Sequence, residues 1–236
     1  MRCFRKNCAP CLESLNEKHY FRDQSDISLI KQELISHLAA SPGGRMVATL
    51  SAIAEAQFAG LRDERSWKLR PEQGFPSSPG QPFTLRDVLD LSMSADKEIA
   101  FRAAWLLEQL TVVYQGLSAV FDIFLECLPA LTNYSVMRHH GKIFACATGK
   151  NAPEAIRIML RSKDLNAEAE LFFGWLIEQD TPVAVKVHAM QSLANLAPYY
   201  SWIKEELLET VAYLESKESI AFFARAKQIR KQLKKV

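Results

Sequence analysis

From Ile27 almost to its last residue, the chain places its apolar side chains at helical spacing. Ile27, Ile30, Leu34 and Leu38 fall at i, i+3, i+7 and i+11. Leu117, Val120, Phe121, Phe124, Leu125 and Leu128 form a second stripe. Ala169, Phe172, Phe173, Leu176 and Ile177 form a third, and Ile203, Leu207, Val211 and Leu214 a fourth. Each set lies on one face of a 3.6-residue helix. No comparable run alternates strictly between Asn-Gly or Asp-Gly turns, as hairpin strands would. With only 9 glycines in 236 residues, Gly-rich nucleotide loops and turn-dense β-sandwiches are also disfavoured. The fold class is all-α.

The pattern predicts helices over 27–40, 45–60, 84–93, 97–114, 117–129, 134–147, 153–162, 167–179, 182–197, 202–215 and 218–234, with ends uncertain by about 2–4 residues. Asn151, Pro153 and Glu154 read as a capped helix start, with Gly149 closing the helix before it. Thr181 reads as a cap followed by Pro182 at the first helical position. Ser201 is placed to cap the helix beginning at Trp202. Residues 1–25 are polar and aperiodic and read as a tail. Residues 26–236 read as one helical domain with an insertion at about 62–83. That insertion holds Pro71, Pro76, Pro79 and Pro82, which deny it a helix. The simplest reading docks its Trp67 and Phe75 on the core; its PxxP spacings are the alternative.

The helices come in pairs, and their second members share a signature. Asp96 and Arg102 stand six apart, as do Asp180 and Lys186, while Thr132 and Arg138 keep only the basic position. Arg102, Arg138, Lys186 and Arg225 are separated by 36, 48 and 39 residues. That is close to the period of about 40–47 for HEAT or armadillo pairs. The acidic-x5-basic spacing resembles the HEAT-repeat consensus, which implies a charge ladder between neighbouring repeats. Two stretches, residues 97–110 (KEIAFRAAWLLEQL) and 184–233, carry a closer resemblance. They are similar to a family of short helical-repeat proteins from Bacteroidetes-type bacteria. Its members often bear the label adenylosuccinate lyase. The resemblance implies a right-handed HEAT/armadillo-like α-solenoid of about five helical pairs, in which stacking buries both faces of each pair. It implies no activity.

The lyase label finds no matching chemistry. Adenylosuccinate lyases carry a G-S-S-x-M-P-x-K-x-N loop that supplies a serine general base. The nearest stretch here, Ser41 to Met46, matches neither order nor spacing. No G-x-S-x-G, GxxxxGK[ST] or GxGxxG occurs. His19, His37, His139, His140 and His188 form no H-E-x-x-H and no zinc spacing with cysteine. His139 and His140 are adjacent, so on a helix they diverge by about 100°. They read as partly exposed structural histidines. Cys3, Cys8 and Cys11 give C-x4-C-x2-C, three of the four ligands of a plant-type iron–sulfur site. Free thiols in a tail are the simpler reading. No catalytic, metal or cofactor residue is expected.

Lys+Arg is 29 against 27 Asp+Glu, a net charge of +2. That balance excludes a polybasic nucleic-acid packager and an acidic tail. The N-terminus is basic but lacks an apolar h-region, so no secretory leader is expected. No run approaches the roughly eighteen apolar residues of a membrane span, so a reducing cytoplasm is the expected compartment.

The leading functional expectation is a non-enzymatic scaffold that holds a protein or peptide on a concave solenoid face. Arg102, Arg138, His139, Lys186, His188 and Arg225 are its expected contact residues. The alternative is a nucleic-acid-binding protein related in architecture to HEAT-like alkylpurine DNA glycosylases. Trp105 and Trp175 near basic residues favour it, and the missing Trp-Trp-Asp cluster disfavours it. The last residues hold Arg225, Lys227, Arg230, Lys231, Lys234 and Lys235 without a carboxylate. They read either as a capping helix or as a phosphate-contacting strip. Trp105, Phe172, Phe173, Trp175, Tyr199, Tyr200 and Trp202 read as packing residues rather than as a base-stacking platform. Lyase activity ranks last.

Overall fold

The computed structural model describes residues 34–36, 38–39, 84–113 and 116–235. The tail at 1–25, the helix expected at 45–60, most of that at 27–40, the proline-rich insertion, the Cys3/Cys8/Cys11 cluster, His19 and His37 lie outside them. Among the described residues the chain is all-α and contains no strand.

The helices are α1 (Leu85–Ser92), α2 (Lys97–Glu108), α3 (Phe121–Cys127), α4 (Tyr134–Ala147), α5 (Glu154–Arg161), α6 (Asn166–Ile177), α7 (Val183–Leu196), α8 (Ser201–Glu215) and α9 (Ile220–Leu233). Their starts have chemical causes. Thr84 and Asp87 make a reciprocal capping box on α1, Asp96 accepts from two backbone amides at the start of α2, and Asn133 caps α4. The expected caps at Asn151, Thr181 and Ser201 do not form. The helices there start after Pro153, Pro182 and Tyr200 without a side-chain cap.

The helix expected to run to 114 instead widens into a π turn at Gln109–Val113. Thr111 donates to the Leu107 carbonyl at 2.7 Å and loosens the ladder at that point. The helix expected at 117–129 is split by 3-10 turns at Gly116–Ala119 and Leu128–Ala130.

A row of helices runs through the molecule. α2 packs on α4, α4 on α7, and α7 on α9. α1 lies against α2, α6 against α7, and α8 against α6, α7 and α9. α5 packs on the 3-10 turn before α3. Between these layers Phe121, Phe124, Phe144, Phe172 and Phe222 are fully buried. Phe172 bridges Phe144 at 4.7 Å and the edge of Trp175 at 4.9 Å. Each such burial contributes about 1.5–3 kcal/mol. Phe222, Ala226, Ile229 and Leu233 are all buried in α9, whereas Ile177, expected in a buried stripe, is 60% exposed. Among the described residues no helix is long and apolar enough to cross a membrane.

The charge ladder does not form as expected. Asp96 spends its carboxylate on the α2 backbone, while Arg102 is buried and bonds elsewhere. Its guanidinium donates to the Leu38 carbonyl, to the Ala39 carbonyl at 3.0 Å, and to Glu98. Lys186, only 1% exposed, donates to Glu218 at 2.6 Å rather than to Asp180. These basic residues span helices, but through carbonyls and later carboxylates.

Replacing Arg102 with Ala should therefore cost about 1–3 kcal/mol, since it strands the buried Leu38 carbonyl. Asp96→Ala should cost about 1 kcal/mol as a lost cap. In urea denaturation the two losses should add within about 0.5 kcal/mol, because the residues share no contact. A clearly sub-additive double mutant would restore the ladder.

Candidate functional site

Polar side chains follow the α2–α4–α7–α9 row. Glu108 sits on the buried face of α2 beside Leu107 and is 6% exposed. His139 Nδ1 donates to its Oε2 at 2.7 Å, and Lys142 of α4 donates to its Oε1. Burial alone would raise the Glu108 carboxyl; the bonds from His139 and Lys142 outweigh it and hold it at about 2. Arg138 lies 3.0 Å from His139 Nε2. A guanidinium only donates, so Nε2 accepts and the ring hydrogen on Nδ1 goes to Glu108.

The two adjacent histidines do diverge, but neither is partly exposed. His139 is 1% exposed and turns to α2; His140 is fully buried. His140 Nδ1 donates to the Val136 carbonyl at 3.2 Å, and its ring stacks on Phe124 at 5.4 Å. Burial pushes His140 down to about 4. His188 is half-buried on α7, where α4 comes close. A Cβ added at Gly141 would lie 3.2 Å from the His188 Cβ, which explains a glycine inside a helix despite its cost of about 1 kcal/mol. Burial and then the Arg225 charge hold His188 at about 4.

The six residues expected to face a partner thus divide. Arg102, His139 and Lys186 are buried and committed to contacts within the chain. Arg138, His188 and Arg225 are partly open on α4, α7 and α9. Beside them runs a chain of amides. Arg225 donates to Gln191 at 3.1 Å, and Gln191 donates to Gln232 at 3.0 Å and to Asn195 at 2.9 Å. Asn195 donates to the Ala145 carbonyl at 2.8 Å, which ties α7 to α4.

At the C-terminal ends of α4, α7 and α9 this row opens into a groove of about 1350 Å³, flanked by α5. Six cations line it, Lys150, Arg157, Arg161, Lys163, Lys231 and Lys235, and among the described residues its wall holds no carboxylate. Arg157 pairs with Glu154, and Lys163 pairs with Asp122 at 2.6 Å. Lys150, Arg161, Lys231 and Lys235 are exposed and have no ion-pair partner among the described residues. Tyr200 also lines the groove, but its hydroxyl is used, accepting from the Leu165 amide at 2.7 Å and donating to Asp164 at 3.2 Å. Tyr199 beside it is 79% exposed, against the expectation that it packs.

Sequence reasoning missed Glu108, the amide chain and the Lys150/Arg161 wall. Glu108 left a signal, a carboxylate between Leu107 and Leu110 in an apolar run. Gln191 and Asn195 also left one, since they stand at i and i+4 in the second half of α7, among small and apolar residues. No family model, no curated protein and no solved structure matches the chain.

These histidines make acid unfavourable. The unfolded rings take a proton near 6.5, whereas the folded ones resist it down to about 4. Between those values the unfolded chain binds more protons, so stability falls as pH falls. The shift at His140 alone is on the order of 3 kcal/mol. Glu108 adds a further loss from about 4.5 toward 2. The melting temperature should drop between pH 7 and pH 5, and more shallowly in a His188→Gln variant. A melting temperature that is flat over that range would refute the buried neutral rings.

Proposed function

We propose that the chain is a non-enzymatic binding scaffold built as a right-handed, HEAT-like α-solenoid. On this reading the α2–α4–α7–α9 row is the concave layer, and α1, α3, α6 and α8 form the convex one. The pairing of α1 with α2, α6 with α7 and α8 with α9 supports it. Its partner is a protein or peptide segment rich in carboxylates. One observation carries that choice: the open side of the row presents Arg138, Lys142 and Arg225, while the one carboxylate placed among them, Glu108, is buried and already shared by two donors. A ligand arriving there meets positive charge and finds little with which to repay a cation. No bond-making step belongs to this reading, and neither does lyase chemistry. The free thiols of Cys127 and Cys146 fit a reducing, cytoplasmic setting.

A second reading, nucleic-acid binding, is favoured by a different observation, the carboxylate-free groove at the ends of these helices.

The test is capture from native-cell extract by the tagged, full-length chain, with and without nuclease. An Arg138→Glu/Arg225→Glu variant should lose the captured protein at least tenfold. Its melting temperature should stay within about 3 °C of the parent, because both residues are partly exposed. Nuclease should leave the wild-type capture intact. Capture that survives the double charge reversal would refute this face as the partner site.

A further inference from the structure

We infer that the groove at the C-terminal ends of α4, α7 and α9 is a binding site for single-stranded nucleic acid. This rests on and deepens the second reading above, and it stands without the scaffold reading, because the groove cations are not those of the open row face.

A folded chain of near-zero net charge has no need to gather six cations into one concavity, yet this groove does so, and among the described residues it admits no carboxylate to its wall. Two of the cations are spent on Glu154 and Asp122, which lie outside the wall. Lys150, Arg161, Lys231 and Lys235 remain. The helix ends offer one internal explanation, since the four C-termini of α4, α5, α7 and α9 present about half a negative charge each. That sums to about two charges against four unpaired cations. The groove therefore stays positive, and the surplus calls for an anionic ligand.

Size and surface choose among anions. A volume of about 1350 Å³ exceeds the roughly 300–1,000 Å³ of pockets that enclose one small ligand. The groove is open, so it suits a chain that passes through. Tyr199 stands at its edge, 79% exposed, with its ring available. A cationic groove that tracks phosphates beside an aromatic ring that stacks a base is the common device for unpaired strands. An acidic peptide would use the same cations but gains little from a bare tyrosine face. A duplex keeps its bases stacked inside and offers that ring nothing.

The test is fluorescence anisotropy of the full chain with labelled dT20 and rU20 at several salt concentrations. Both should bind with micromolar dissociation constants at low salt. Four phosphate contacts give a log–log salt slope of about −2.8 for a single strand. A variant carrying Lys150→Glu, Arg161→Glu, Lys231→Glu and Lys235→Glu should bind at least tenfold more weakly, with an unchanged circular dichroism spectrum. All four residues are exposed and unpaired, so folding should be spared. Tyr199→Ala should weaken binding about fivefold or more without changing the slope. Arg138→Glu/Arg225→Glu should change it less than threefold, which separates this site from the row face. The inference is overturned by no binding at 100 μM protein, or by a four-site variant that binds like the parent. It is equally overturned by a 20-residue polyglutamate that competes as well as dT20, by a duplex that binds as tightly, or by Tyr199→Ala without effect.

Discussion

The Glu108 carboxylate is the contact on which the inner helices depend. It is charged, it is buried, and its two donors both come from α4. A carboxylate left alone there would be driven toward its neutral form by desolvation. With His139 and Lys142 in place it is held at about 2 instead. α2 and α4 therefore meet in one register: a shift of either helix by a residue would break both bonds and leave a buried charge. The π turn that follows Glu108 fits this constraint, since it lets the chain leave α2 without rotating the carboxylate away from α4.

The same device recurs at each step of the row. Arg102 reaches the carbonyls of Leu38 and Ala39, Asn195 of α7 reaches Ala145 of α4, and Lys186 reaches Glu218 beyond α8. Gln191 of α7 meets Gln232 of α9. Apolar packing supplies most of the stabilisation, but leucine and alanine surfaces tolerate repacking. A buried hydrogen bond has one geometry. On this view the polar links add little net stability and mainly select one stacking of the helices, a role documented for some buried polar groups and not for all. Lys186 illustrates the cost of losing a link. Its side chain is 1% exposed, and among the described residues Glu218 is the carboxylate it pairs with.

The sequence made the helices legible and left their neighbours hidden. Phe222, Ala226, Ile229 and Leu233 announce the buried face of α9 by spacing alone, and the structure buries all four. Spacing says which face turns inward; it does not say what waits there. Arg102 and Lys186, each six residues after an aspartate, looked like rungs of a ladder. Asp96 instead satisfied the nearest open amides, those of its own helix start, because a local cap costs less chain entropy than a distant pair. His139 and His140 looked like surface residues because histidine often is one. Their burial follows from partners on other helices, Glu108 and Phe124, that no local pattern reveals. The groove is less legible still. Lys150 and Arg161 come from around α5, and Lys231 and Lys235 from the end of α9, some seventy residues later.

Along the row, then, the fold divides its charges into two kinds. Some are consumed within the chain: Arg102 by carbonyls and Glu98, Lys186 by Glu218, Arg230 by Glu215. Lys150, Arg161, Lys231 and Lys235, around the groove, are not. An exposed, unpaired lysine contributes next to nothing to stability, so folding alone gives no reason for four such cations to share a concavity free of carboxylates. Their partial match to the helix dipoles accounts for only about half of their charge. What stabilises this protein and what it presents to others therefore lie at different places on the same helices. The buried links hold α4, α7 and α9 side by side, and in doing so they align three helix ends into one positive groove.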